Sequence, residues 1–242
     1  MYTNKQIWNV SYPIFLSLLA QNVINVTDTA FLGRVGEVEL GASAMGGLYY
    51  ICAFTIAFGF STGSQIIMAR RNGERDYKEV GPVMVQGVFF LFMLAAVMFT
   101  LSRLFSGDIM RLLVSSDTIL DATEEFLDWR VFGFFFSFVN VMFRALFIGI
   151  TRTKVLTLNA IVMALTNVLL DYLLIFGNCG FPELGIKGAA IASVMAEAVS
   201  TVFYMLYTRV TIDMEVFALN RFRSFDVRLL RRVLDISIFT ML

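Results

Sequence analysis

Long apolar segments separated by short polar ones form the main pattern along the chain. A transmembrane helix needs about 20 predominantly apolar residues, and six segments reach that length. They are residues 7–32, 45–69, 83–104, 126–150, 155–176 and 188–208. These segments are too long for barrel strands and do not alternate, so only helices satisfy their backbone hydrogen bonds. The predicted fold class is an all-α membrane protein with six transmembrane helices.

The distribution of basic residues among the loops predicts the orientation. Most of them follow the second, fourth and sixth spans: Arg70, Arg71, Arg75, Lys78, Arg152, Lys154, Arg209, Arg221, Arg223, Arg228, Arg231 and Arg232. The intervening loops hold Arg34, Arg111 and Lys187. Because loops rich in Lys and Arg stay on the cytoplasmic side, we expect a multi-pass protein of the cell (inner) membrane with a cytoplasmic N-terminus.

The C-terminal segment suggests a three-part organisation. Residues 1–210 are predicted to form a six-helix lobe, residues 211–232 a basic cytoplasmic linker, and residues 233–242 the truncated start of a seventh helix. Residues 235–242 share an Ile-Phe pair and a final Leu with residues 11–18 of the first span. Since transporters are often built from repeats, we expect the N-terminal half of a twelve-helix protein. The alternative is a six-span protein with a hydrophobic tail.

Composition excludes several functional classes. The chain is 58% hydrophobic and 16% charged, and its formal net charge is zero, so nothing indicates nucleic-acid binding. It contains no histidine, which excludes a histidine metal site and a Ser-His dyad. Residues 59–63 match the G-x-S-x-G motif of hydrolases, but they lie in an apolar span and not in a strand-to-helix turn. We therefore expect no enzymatic activity.

Two carboxylates and one amide lie within the apolar spans. Asp28 is in the first span, and Asn167 and Asp171 are in the fifth; such groups persist in membranes mainly where they handle ions or substrates. Residue counting at about 1.5 Å each places Asp28, Asp171 and Ser193 in one layer near the outer surface, with Asn167 one turn deeper. Their oxygens suit Na⁺, and a carboxylate also suits H⁺. The alternative is that each side chain hydrogen-bonds a neighbouring helix.

Other polar residues of the first span extend this site inward. Gln21, Asn25 and Asp28 have the i, i+4, i+7 spacing of one helix face, so we expect Gln21 and Asn25 to line the same substrate cavity as Asp28. Asn22 lies at the edge of that face and is assigned to the cavity with them. The alternative is a polar seam against a neighbouring helix.

Three charged residues within the fourth and sixth spans require separate interpretation. Glu197, near the middle of the sixth span, is assigned to the substrate cavity. It is either a protonated carboxyl with local hydrogen bonds or a second proton-binding group. Arg130, at the outer end of the fourth span, is interpreted as interfacial. Arg144 lies near the inner end of the same span, where its long side chain can reach the cytoplasmic surface.

The sequence resembles the multidrug and toxic compound extrusion (MATE) transporters in five stretches that occur in the family's order. The stretches are residues 26–36 (VTDTAFLGRVG), 63–73 (GSQIIMARRNG), 143–154 (FRALFIGITRTK), 167–177 (NVLLDYLLIFG) and 183–193 (ELGIKGAAIAS). Together they extend along nearly the whole chain. The aspartate at position 171 is similar to the DNA-damage-inducible (DinF-like) branch of the family.

The resemblance implies a twelve-helix fold of two lobes that face a central cavity. It implies that Asp28, Asn167 and Asp171, with Ser193, bind the coupling cation, which is a metal if the cation is Na⁺. Gln21 would then line the substrate cavity. The implied partners are amphipathic or cationic small molecules, membrane lipid and the second lobe, with no cofactor besides the coupling ion. A glutamate at position 197 departs from the uncharged residue that the family predicts.

The predicted function is antiport: export of amphipathic or cationic compounds in exchange for Na⁺ or H⁺. One alternative is a lipid-linked oligosaccharide flippase, which needs several basic residues to bind pyrophosphate. The basic residues within the spans are Arg103, Arg130 and Arg144, and all three lie toward span ends. The other alternative is an inactive fragment that lacks the second lobe.

Overall fold

A computed structural model of the chain describes residues 4–219 and 226–241. Eight α-helices occur in these ranges, and no strand does. They are α1 (Asn4–Val35), α2 (Glu37–Gly73), α3 (Val80–Leu113), α4 (Asp117–Arg130), α5 (Phe134–Gly149), α6 (Lys154–Leu174), α7 (Gly185–Thr211) and α8 (Val227–Met241). The predicted all-α fold is confirmed.

Six segments of the described chain are long and apolar enough to cross a membrane, as the sequence predicts. Four of them lie in single helices: α1, α2, α6 and α7. The fifth, Tyr77–Leu113, is α3 preceded by the 3-10 turn Tyr77–Glu79. The sixth, Asp117–Gly149, consists of α4 and α5 joined by the 3-10 turn Val131–Gly133. Its helix begins before the predicted start at residue 126, because the acidic residues that precede the apolar run are helical too. The break at Val131–Gly133 lies beside the candidate functional site.

Apolar side chains pack inside the lobe and also cover its outer surface. Helix α5 is central and packs against α2, α3 and α7, and its residues Phe134, Phe138 and Phe147 are fully buried. Many large apolar side chains face outward, among them Phe89, Phe92, Met93, Val97, Leu165, Leu169, Val202, Met205 and Leu206. Lipid tails are as apolar as these side chains, so close dispersion contacts between helices stabilise the lobe.

Helices α6 and α7 approach each other closely where Gly188 meets the end of α6. A Cβ atom at Gly188 would lie 2.6 Å from the carbonyl oxygen of Leu174, which is closer than such atoms approach. Small residues at helix contacts allow this proximity in membranes. The close approach brings the polar residues of α6 and α7 to opposite sides of one cavity.

Residues 59–63 lie within α2, so the hydrolase-like motif has no strand-to-helix turn. The Ser61 hydroxyl donates a hydrogen bond to the carbonyl oxygen of Phe58 at 2.7 Å. Gly63 instead allows α8 to pack against α2, because a Cβ atom there would overlap Ser237. The glycine therefore has a packing role in this region.

Helix α8 begins at Val227, earlier than the predicted start at residue 233. The Asp226 carboxylate accepts hydrogen bonds from the backbone N–H groups of Arg228 (2.9 Å) and Leu229 (3.3 Å), and so caps the helix. The sequence-based prediction used hydrophobicity alone and therefore left the basic residues of the first turn of α8 outside the helix, although they are helical. The predicted linker residues Arg221 and Arg223 lie outside the described residues, as does Leu242.

Candidate functional site

A cavity of about 480 Å³ opens between α1, α2, α4, α6 and α7. This volume is within the range of small-molecule sites. Five of the residues assigned to the site from the sequence line it: Asn25, Asp28, Asn167, Ser193 and Glu197. Three helices therefore contribute polar side chains to one chamber, at the end of the lobe that is predicted to be periplasmic.

The carboxyl groups of Asp28 and Asp171, on the packed helices α1 and α6, are close enough to act on each other. Asp171 is fully buried, and no donor group contacts either of its carboxyl oxygens. Asp28 Oδ1 is buried and has no donor either. Ionised carboxylates only accept hydrogen bonds, so this pair needs a shared proton or a bound cation. The pair is held by α1 and α6, the two helices that pack most extensively against each other.

Asn167 adds an unsatisfied amide beside the carboxyl pair. The residue is 1% exposed, and neither Nδ2 nor Oδ1 has a hydrogen-bond partner. It lies one helical turn before Asp171 on α6, so both side chains are on the same face. Buried polar groups are nearly always hydrogen-bonded, and an unpaired oxygen next to two carboxyls is available as a cation ligand.

No group of three or more His, Cys, Asp or Glu side chains that fits a metal ion occurs in residues 4–219 and 226–241. The oxygen donors at the carboxyl pair come from Asp28, Asp171 and Asn167. Two carboxylates and one amide are the kind of oxygen donors that hard cations take. A hard monovalent ion such as Na⁺ takes oxygen ligands by the same chemistry as Ca²⁺ and Mg²⁺. Ser193 faces the same cavity from α7.

Two residues of α1 lie outside this cavity, contrary to the sequence-based assignment. Gln21 lines a separate pocket of about 40 Å³, together with Arg144 and Asn159. It is on the same face of α1 as Asp28, but seven residues place it about 10 Å deeper, where it is exposed at the edge of this second pocket. Asn22 is exposed and donates a hydrogen bond to the carbonyl oxygen of Leu18 at 3.0 Å, because it is turned away from that face.

Glu197 forms an ion pair with Arg130, and both side chains are buried. Arg130 Nη2 lies 2.7 Å from Oε1, and Nη1 lies 3.1 Å from Oε2, which is bidentate geometry. The two side chains are 13% and 7% exposed. Neither sequence-based interpretation of Glu197 included a basic partner, and the interpretation of Arg130 as interfacial did not include this ion pair. The Arg130 side chain, at the end of α4, points into the lobe toward Glu197 of α7.

Tyr50 of α2 completes this cluster. Its hydroxyl lies 3.1 Å from both carboxylate oxygens of Glu197 and 2.8 Å from Ser137 Oγ. The Arg130 guanidinium lies over the Tyr50 ring, 3.5 Å from its centroid, so a cation–π contact adds to the ion pair. Gly133 leaves the space for this arrangement, because a Cβ atom there would overlap all three side chains. Helices α2, α4 and α7 thus hold the pair together.

A sequence signal for the ion pair exists, although it is easily missed. Arg130 and Glu197 have opposite charges and lie at nearly equal distances from the ends of their helices at Asp117 and Gly185. Both of those ends lie at the same side of the lobe. This signal is visible only when α4 is known to begin at Asp117. The apolar pattern predicts a later start, at residue 126.

The comparisons with known sequences identify one family. Residues 13–173 match the family model described as MatE. The chain is 26% identical over 198 residues to "Probable multidrug resistance protein NorM" of Agrobacterium fabrum, which covers 81% of this chain and 42% of that protein. It is 29% identical over 182 residues to the protein of the same name from Rhizobium meliloti, and this match covers 75% of this chain and 38% of that protein. The chain spans less than half the length of these curated relatives.

Solved structures share the fold. One, titled "Outward-facing conformation of a multidrug resistance MATE family transporter of the MOP superfamily", has a TM-score of 0.86 and 21% identity, covering 98% of this chain and 52% of that one. An inward-facing structure of the same description has a TM-score of 0.80 and 20% identity, covering 90% and 49%. The predicted match to one lobe of a two-lobe transporter is confirmed. Since the family model covers more than half of its residues, the chain belongs to the MATE family, whose members are transporters and not enzymes.

Proposed function

We propose that the chain forms one lobe of an antiporter of the inner membrane, with its N-terminus in the cytoplasm. This antiporter exports amphipathic or cationic compounds in exchange for Na⁺ or H⁺. The observation that carries the proposal is the pair of Asp28, which lines the cavity, and Asp171, which is buried behind it: three of their four carboxyl oxygens are buried without a donor group. Ionisable groups in this position within a membrane protein typically bind the transported ion.

Either coupling cation satisfies the pair. A proton shared between Asp28 and Asp171 turns one carboxyl into a donor and removes the repulsion between two like charges. A sodium ion would instead take oxygens from both carboxylates and from Asn167. In both cases the bound cation removes the repulsion between the two carboxylates and gives their oxygens a partner. The cation and the substrate would favour different conformations of the transporter, which is the basis of alternating access.

The charge of the cavity favours a cationic substrate over an anionic one. Arg130 and Glu197 neutralise each other, so the carboxyl pair is the uncompensated charge of the chamber. A lipid-linked pyrophosphate needs several free basic groups, and the one arginine that lines this cavity is already paired. The second lobe of the protein would supply the opposite wall. The assignment to the DNA-damage-inducible branch stays a prediction.

The test is transport by the intact protein in proteoliposomes, with Na⁺ and pH gradients imposed separately. We expect ethidium efflux to be driven by one of the two inward gradients and to be absent without either. Labelled lipid-linked sugar, measured in the same vesicles, should not move. Transport of that lipid without ethidium efflux would contradict the proposal and favour the flippase.

A further inference from the structure

The cavity contains a second charged system beside the carboxyl pair. Arg130 and Asp28 both line it, and Arg130 is near enough for its charge to act on the Asp28 carboxyl. The guanidinium is a permanent cation with five N–H donors in a planar fork. Its bidentate pairing with Glu197 uses two of them. Arg130 is therefore an internal competitor for the position that a mobile cation would take at Asp28.

The surrounding structure holds this competitor in place on the side of Glu197. Tyr50 contributes twice, because its hydroxyl approaches the carboxylate and its ring lies against the guanidinium. Asn140 donates a hydrogen bond to the backbone carbonyl of Glu197 at 3.0 Å and accepts one from Thr201 at 2.9 Å, which fixes that turn of α7 against α5. Groups on α2, α5 and α7 therefore hold the ion pair in this arrangement.

We propose that Glu197 retains the Arg130 guanidinium and thereby keeps Asp28 available to the coupling cation. The inference rests on the proposed cation site and extends it to two positioning residues. When Glu197 is ionised and in place, the charge of Arg130 is neutralised locally. Without Glu197, the guanidinium pairs with Asp28 and blocks the site with a cation that cannot leave.

The test measures the cation concentration that gives half-maximal ethidium efflux by the intact protein in proteoliposomes, with Na⁺ or H⁺ as the varied cation. Glu197→Gln should raise this concentration about tenfold, within the range typical of coupling between neighbouring sites. Adding Arg130→Gln to that variant should return it to within about threefold of the wild type, because the competitor is gone. The matched control is Arg103→Gln, which removes an arginine from the exposed pair with Asp128 and should change nothing.

A purely structural pair would behave differently. Glu197→Gln would then reduce the yield of folded protein, while the half-saturating concentration of the folded fraction would equal that of the wild type; this result would overturn the inference. A rise that Arg130→Gln does not reverse would overturn it too, since Glu197 would then act directly on the cation. If Glu197→Gln does not fold, Tyr50→Phe loosens the same pair and should give a rise of about threefold; no rise would again contradict the inference.

Failure of the proposed function gives a separate result. If Asp28 is not part of the cation site, Asp28→Asn transports with the half-saturating concentration of the wild type, whatever Glu197 does. If Asp28 binds the cation but Glu197 does not retain Arg130, Asp28→Asn loses cation dependence while Glu197→Gln keeps the wild-type concentration.

Discussion

Replacing Asp28 by asparagine is expected to abolish cation-driven efflux and at the same time to raise the melting temperature. Buried oxygens of both Asp28 and Asp171 lack a donor, so the wild-type pair carries like-charge repulsion when it holds neither a shared proton nor Na⁺. Asparagine has the same shape, supplies a donor to Asp171 and removes one charge. A gain of about 1 kcal/mol would raise the melting temperature by about 2–4 °C for a chain of this size. Ethidium efflux and thermal unfolding in detergent are the two measurements.

The matched control for this variant is Asp128→Asn. Asp128 is exposed, lies toward the same end of the lobe and pairs with Arg103 away from the cavity. Its replacement should leave both efflux and melting temperature unchanged, because exposed ion pairs contribute about 0–1 kcal/mol. Wild-type efflux by Asp28→Asn, with normal amounts of protein in the membrane, would show that the carboxyl pair does not couple transport.

Replacing Arg130 by glutamine should destabilise the protein more than replacing Glu197 by glutamine. Breaking a buried ion pair by removal of one partner costs about 3–5 kcal/mol, because the other charge remains buried and unpaired. Arg130→Gln leaves Glu197 facing the same cavity as the Asp28 and Asp171 pair, with no basic residue to offset either. Glu197→Gln leaves Arg130, which can still pair with Asp28. Thermal unfolding of the two purified variants measures which of them is less stable.

The double variant Arg130→Gln/Glu197→Gln separates charge from shape. Both side chains are then neutral amides of nearly the same size, so most of the stability lost in Arg130→Gln should return. Equal losses in the two single variants would argue that Asp28 does not offer Arg130 an alternative partner. A double variant as unstable as Arg130→Gln would show that the cluster depends on packing more than on charge.

The apolar pattern predicts the spans well because a bilayer imposes a length and a backbone rule that few sequences meet by chance. It places helix ends less well. The acidic start of α4 and the basic start of α8 are helical although they are polar, and the cap at Asp226 sets the latter. Hydrophobicity indicates which residues lie in the lipid, whereas capping and packing determine where a helix begins.

The candidate site is only partly predictable from the sequence. Asp28, Asn167 and Asp171 can be found because buried polar groups in a membrane are rare, and the structure brings them together; their role as a cation site stays a prediction. Gln21 shares a helix face with Asp28, but a face does not specify depth, and the side chain lies in another pocket. The partnership of Arg130 with Glu197 depends on the packing of α4 against α7 and on the space left by Gly133, which periodicity does not reveal.

Counting the cations bound by the purified intact protein tests the carboxyl pair most directly. Retention of ²²Na⁺ and uptake of protons in Na⁺-free buffer are measured for the wild type and for Asp28→Asn/Asp171→Asn. We expect each wild-type molecule to bind one more monovalent cation than the double variant does. That cation should be the one, Na⁺ or H⁺, whose gradient drives efflux. Equal numbers of bound cations in the two proteins would contradict the assignment of the coupling site to Asp28 and Asp171.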